Sequence, residues 1–181
     1  MSNIAQEYTI PVVGHFEKVS LFQFQNAMKE EFCSMFDDEL IQFFYDRIIE
    51  PSRATEGSSG HDFFSPFPFR LEDGQEIKIP TGIRVKMIPG WWLMCMPRSG
   101  SGFKYYVRLA NTIGDIDEDF YYTNTEGHIW LKIRPENNQG KPFVVARGDG
   151  IMQAVFLPFG IADNDRPRGK RVGGLGSTDK K

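Results

Sequence analysis

In the stretch DIDEDFYYTNTE, residues 115 to 126, acids stand at the first, third, fifth and twelfth positions. That is the ligand spacing of an EF-hand calcium loop, in which carboxylates converge on one hard cation. Such a loop also needs glycine at its sixth position for a sharp turn, and Phe120 stands there. The flanking segments LANTIG and GHIWLKI read as turn and strand rather than as helices, so the EF-hand reading fails on context. What remains is an acid-rich hairpin. If its strand is regular, Asp115, Asp117 and Asp119 share one side, where like charges repel. The hairpin is therefore either an exposed turn or a device that aims one acid into a pocket.

Four other segments carry groups suited to a polyanion. PRSG (97–100) offers a guanidinium, a hydroxyl and a pliant backbone together, which makes an anion cradle. ATEGSSGHDFFSP (54–66) is a Gly/Ser-rich turn running into an apolar strand, and RGDGIMQ (147–153) is a turn feeding a strand with one inward-capable glutamine. RVGGLGST (171–178) adds glycines, an arginine, a serine and a threonine. It is not a phosphate-binding P-loop, because no lysine precedes the serine and too few residues follow to build a helix. Each segment is weak alone; their order and spacing carry the information.

Positioning these groups requires a scaffold, and its elements are legible. VSLFQFQNAMKEEF (19–32) reads as a helix whose start is marked by a Ser20–Gln23 capping box and a Val19–Phe24 staple. A second helix spans about Asp37 to Ile49, with three acids at its start and Pro51 beyond its end. Its apolar stripe is Leu40, Ile41, Phe44, Tyr45 and Ile48. After Pro51 the period changes to two. EIKIPTGIRVKM (76–87) reads as one half-buried strand, and FKYYVRLA, HIWLKI, PFVVA and IMQAVFLPF follow as further strands. Short strands without intervening helices imply a barrel, sandwich or jelly roll. From Pro158 periodicity is lost.

Composition sets outer bounds. The chain has 181 residues, enough for one sizeable core, and sixteen phenylalanines to fill it. A net charge of −3 supplies no general field for nucleic acid, although RPRGKR and the closing DKK are locally basic. Cys33 and Cys95 form neither a disulfide framework nor a zinc spacing. No secretory signal is visible, and WWLMCM is far too short to span a bilayer, so a soluble cytoplasmic protein without a membrane partner is expected.

In order and spacing the five segments resemble the motifs of the trimeric dUTPase family. ATEGSSGHDF resembles the first, PRSG the second, NTIGDIDEDF the third, GDGIMQ the fourth and RVGGLGST the fifth. FEKVSLFQF and the helices before PSRATEGS resemble an extended bacterial or phage branch. The resemblance implies a mainly β fold, a dUTPase-like jelly-roll β-barrel with two N-terminal helices. Residues 1–50 would be the helical extension, 51–160 the barrel core and 161–181 a mobile C-terminal arm. It further implies Mg²⁺-dependent hydrolysis of dUTP to dUMP and pyrophosphate in a homotrimer with shared active sites, the tail of one chain closing a distant site.

The site residues follow from the same likeness. The acid after G-x-I in the third motif is Asp117, which would orient water for attack on the α-phosphate. Arg98, Ser99 and Gly100 would contact phosphate oxygens, with Gln153 adding a hydrogen bond. Mg²⁺ would be held chiefly by phosphates and water, with Asp62 either an outer-shell support or a structural partner. Backbone groups around Asn111 and Gly114 would match the uracil edge. Phe120 replaces the family's tyrosine beneath the deoxyribose, keeping the wall against a 2′-hydroxyl without the phenol. In the tail Arg171 best matches the γ-phosphate arginine, with Arg168 the other possibility. Leu175 stands at the aromatic position, and Ser177 and Thr178 would donate hydrogen bonds to phosphate. Two alternatives stand beside this reading. One is a regulatory protein without catalysis on the same scaffold. The other is a relative of the dCTP deaminases, against which Lys132 stands where a catalytic glutamate is required.

Overall fold

The computed structural model describes residues 9–33, 35–137, 139–167 and 169–174. Arg168, Leu175, Ser177 and Thr178 lie outside the described residues. The chain opens with β1 (Gly14–Lys18), α1 (Leu21–Phe32), α2 (Asp38–Asp46), β2 (Ser52–Arg53), β3 (His61–Phe64) and β4 (Phe69–Leu71). It continues with β5 (Ile77–Pro80), β6 (Ile83–Met87), β7 (Trp91–Met96), α3 (Ser99–Tyr105), β8 (Arg108–Leu109) and β9 (Gly114–Ile116). A 3₁₀ helix (Glu118–Tyr122), β10 (Trp130–Arg134), β11 (Phe143–Val145) and β12 (Gly150–Pro158) complete it.

Helix α1 starts where its cap dictates. Ser20 is extended at φ −61° and ψ 152°, and its hydroxyl accepts the Gln23 N–H at 3.1 Å. Asp37 does the same for α2, accepting from the Leu40 N–H at 2.8 Å. The helices then pack by aromatic edges. Phe32 and Phe67 meet at 5.1 Å and Phe36 and Phe44 at 5.5 Å, both edge-on, over a core that includes Phe24, Phe63 and Ile41. Leu40, expected on the apolar stripe of α2, instead stays exposed while Ile41 and Phe44 point inward.

The β portion, as described, is a set of antiparallel sheets. The five-stranded one runs β2-β3-β12-β7-β9, and smaller ones pair β1 with β6, β10 with β5 and β8, and β11 with β4. Two sequence expectations are corrected here. Residues 76–87 are two strands, because Thr81 and Gly82 turn between β5 and β6. Gly82 has φ +73° and donates to Nε2 of the buried His128 at 2.8 Å, while Thr81 Oγ1 donates to the Ile129 carbonyl at 2.6 Å. Burial pushes the His128 imidazole down to a pKa of about 3, so it stays neutral and can accept. FKYYVRLA, expected as one strand, is split: Phe103–Tyr105 end α3, and only Arg108–Leu109 form a strand. That helix closes at Tyr106 in the left-handed region, φ 52°, while Tyr105 packs on Phe143 at 5.1 Å.

Gly82 admits no side chain. A Cβ there would overlap Ile48 Cδ1, and the backbone is already left-handed. Gly82→Ala is expected to destabilise the fold by about 2–4 kcal/mol, combining backbone strain and overpacking. Urea unfolding of the two chains checks this.

Candidate active site

Strand β7 runs between the two groups of candidate residues. Its partner β12 places Gln153 opposite Met96, and Gln153 is also paired across to Asp62 on β3. Arg98, just beyond β7, reaches back over this seam. Its Nε and Nη2 donate to the two carboxylate oxygens of Asp62 at 3.0 and 3.1 Å, and Nη1 donates to the Gly150 carbonyl at 3.1 Å. The two-pronged geometry is that of a strong charge-assisted pair. Glycine at 150 leaves room for the guanidinium, which a Cβ there would displace. Gln153 Nε2 donates to the Pro97 carbonyl at 3.3 Å, which completes the cluster. Segments far apart in sequence (Asp62, Arg98, Gly150 and Gln153) are thus brought together. Ser99 and Gly100 form the exposed first turn of α3, where backbone N–H groups have no intrahelical acceptor.

On the other edge of β7 lies the acidic hairpin. Gly114 pairs with Cys95, Asp115 with Met94 and Ile116 with Leu93. Asn111, Thr112 and Ile113 precede it as a tight turn in which the Ile113 N–H donates to the Asn111 carbonyl at 2.7 Å. Thr112 sits at φ +68°, a conformation that a β-branched residue rarely holds. After Ile116 the strand stops and a 3₁₀ helix begins, its Phe120 N–H donating to the Asp117 carbonyl at 3.2 Å. Asp115, Asp117 and Asp119 therefore do not line one side of a strand as the sequence suggested.

Asp117 and Asp119 nevertheless converge, on Arg171. Its Nη2 donates to Asp117 Oδ2 and its Nε to Asp119 Oδ1, the latter at 2.8 Å. The guanidinium also lies 6.0 Å over the Phe120 ring, the Asn124 N–H donates to the Val172 carbonyl at 3.1 Å, and Gly174 sits against that ring with no room for a Cβ. Residues 171–174 thus cover the hairpin of their own chain. Burial raises the Asp117 carboxyl above its ordinary value and Asp115 adds to the rise, while Arg171 opposes it.

The register sets the distance between the two clusters. Asp117 follows Ile116, the partner of Leu93, whereas Arg98 lies beyond Met96 at the far end of β7. At ~3.3 Å per residue the span along the strand is roughly 15–20 Å. A single chain does not bring Asp117 to Arg98. Among the described residues no group of three His, Cys, Asp or Glu side chains converges to hold a metal ion.

The dUTPase family model matches residues 46–176. The chain belongs to the dUTPase family. A deoxyuridine 5′-triphosphate nucleotidohydrolase of Lactococcus lactis subsp. lactis (strain IL1403) is 36% identical over 131 residues, covering 71% of this chain and 86% of that protein. The solved dUTPase of Streptococcus mutans superposes with a TM-score of 0.59 at 27% identity, covering 82% of this chain and 98% of that one. A dUTPase from phage phi11 of S. aureus shares the fold at 20% identity and a TM-score of 0.52. The mainly β architecture expected from the resemblance is the one observed; the relatives named first are bacterial, and with the phage protein the chain shares the fold. No helix among the described residues is long and apolar enough to cross a membrane.

Sequence reasoning did not find the Arg171–Asp119 contact or the seat of Glu126 under α1, whose hydroxyl and amide partner at Ser20 lies 106 residues away. The paired acids were visible, but a pattern of period two assigns partners only within a strand. The Asp117 environment predicts a titration order. Asp115→Asn removes a negative neighbour and is expected to lower the Asp117 midpoint, whereas Arg171→Ala is expected to raise it. A carboxyl-carbon NMR titration of the three chains checks both directions.

Proposed function

We propose that this dUTPase hydrolyses dUTP to dUMP and pyrophosphate, with Asp117 holding the water that attacks the α-phosphorus. The observation that carries this reading is the meeting of Asp117 with Arg171, the third-motif acid with the fifth-motif arginine. Without nucleotide the arginine neutralises the acid. With nucleotide, the γ-phosphate competes for the guanidinium, and the freed carboxylate turns to water. The water's oxygen bonds to the α-phosphorus as the bridging oxygen toward the β-phosphate leaves with pyrophosphate. Asp117 accepts or directs the water proton, an effect of geometry as much as of basicity.

Arg98, Ser99, Gly100 and Gln153 form the phosphate-facing part of the site in this reading. Arg98 is already aimed by Asp62 and Gly150, so little side-chain freedom is lost when an anion arrives. Asn111 and Gly114 present backbone groups to uracil, and the strained turn at Thr112 keeps them in place. Phe120 supports the sugar once residues 171–174 lift. Leu175, Ser177 and Thr178 complete the tail, with Arg168 the alternative γ-phosphate contact. The separation of Asp117 from Arg98 supports a homotrimer in which one chain's hairpin faces a neighbour's phosphate cluster.

The donor set fits magnesium as a companion of the triphosphate and not as a resident ion. Phosphate oxygens and water would hold it, Asp62 serving as the structural partner of Arg98, which occupies both of its oxygens, and when bound the ion offsets phosphate charge.

Purified protein with Mg²⁺ and dUTP is expected to release pyrophosphate, and a lack of release would remove the proposal in favour of a regulatory role. Asp117→Asn is expected to lower kcat by about 10³-fold or more while nucleotide binding survives, measured by turnover and calorimetry together. A chain ending before Arg171 is expected to lose at least about tenfold in kcat/KM while keeping its circular dichroism spectrum.

A further inference from the structure

The segment ahead of residue 46 lies outside the matched family region, yet it grips the hairpin that carries Asp117. One grip is at α1. In a complete capping box the Ser20 amide would bond the side chain of residue 23. Here Ser20 donates instead to Glu126, its N–H to Oε2 at 2.7 Å and its hydroxyl to Oε1 at 2.6 Å. The carboxylate sits at the positive end of the helix dipole, which favours it further. Glu126 is held at φ +57°, where glycine would be easier, so the backbone strain accompanies a side chain with a specific partner.

The second grip is at β1. Tyr121 of the 3₁₀ helix donates its hydroxyl to Glu17, which is also ion-paired with Arg84, Nε to Oε1 at 3.1 Å, and the Arg84 guanidinium lies 4.6 Å over the Tyr121 ring. Glu17 and Arg84 are themselves register partners in the β1–β6 pair. A further tie fixes the start of the same helix, where Glu118 accepts the Gly90 N–H at 2.8 Å.

We infer that the N-terminal segment braces the catalytic hairpin, with Glu126, Glu17 and Tyr121 as positioning residues for Asp117. The inference rests on Asp117 being the water-holding group. Asp117 lies where β9 ends and the braced 3₁₀ helix begins, so its upstream side is held by β7 and its downstream side by β1 and α1. Releasing the downstream side lets the carboxylate wander relative to the phosphorus. Displacements near 1 Å reduce rates by about 10²-fold.

The test uses the full chain with Tyr121→Phe, Glu126→Gln, Glu126→Ala and Asp117→Asn. Per folded molecule, kcat for dUTP is expected to fall about tenfold or more in Glu126→Ala and about threefold in Tyr121→Phe, with KM little changed. Glu126→Gln, which keeps an acceptor for one Ser20 donor, is expected to recover part of the loss. Amide exchange at residues 117–122 should quicken in step with the fall in kcat. A normal kcat in both Tyr121→Phe and Glu126→Ala, whatever the melting temperatures, overturns the brace. So does unchanged exchange at those amides. If Glu126→Ala fails to fold, Tyr121→Phe decides alone, since it removes a single hydroxyl. An active Asp117→Asn would instead strike the base assignment, and hairpin exchange would still report on the brace.

Discussion

Strand β7 is hydrogen-bonded along both edges, to β12 on one side and β9 on the other, and this double pairing governs where every functional group stands. Shifting β9 by one residue would turn each of its side chains to the opposite face. The register is held by Gly114 against Cys95, whose Cβ lies 3.0 Å from where a Gly114 Cβ would be. The other edge seats Gln153 and, through β3, Asp62. One strand thus determines both the place of Asp117 and the place of the Arg98–Asp62–Gln153 cluster, and sets them apart.

Charge compensation follows the same plan at each end. Arg98 is matched by Asp62, and Arg171 by Asp117 and Asp119. The two Arg171 pairs have half-exposed carboxylates, so solvent screening keeps their worth small, whereas the bidentate Arg98–Asp62 pair is the stronger. Small binding energies suit the role. On the reading proposed above, phosphate displaces the partners of Arg171, whereas Asp62 stays in place and keeps Arg98 aimed. Glu126 differs, because both its oxygens are engaged by one helix terminus, and it acts as an anchor rather than an exchangeable partner.

The helical part was legible because its signals are local. Ser20 and Asp37 cap the residues three positions on, and such bonds need nothing from the rest of the chain. The strands from β10 to β12 were legible as well, since alternation decides which face is buried. The errors fall where a distant group intervened. Residues 76–87 break at Gly82 because His128 and Ile129, 46 and 48 residues away, accept and position that turn. FKYYVRLA alternates like a strand, yet its first residues end a helix that packs Tyr105 on Phe143 and stops at the left-handed Tyr106, leaving only Arg108–Leu109 as strand.

For the site, residue types and their order along the chain determined that a polyanion is handled near an acid, because chemistry is carried by side chains and their order is inherited directly from the sequence. Which charges meet was decided only in three dimensions. Asp119 reaches Arg171, and Glu126 reaches Ser20, across 52 and 106 residues. No period in the sequence encodes such contacts, since they depend on how sheets and helices close around a shared core.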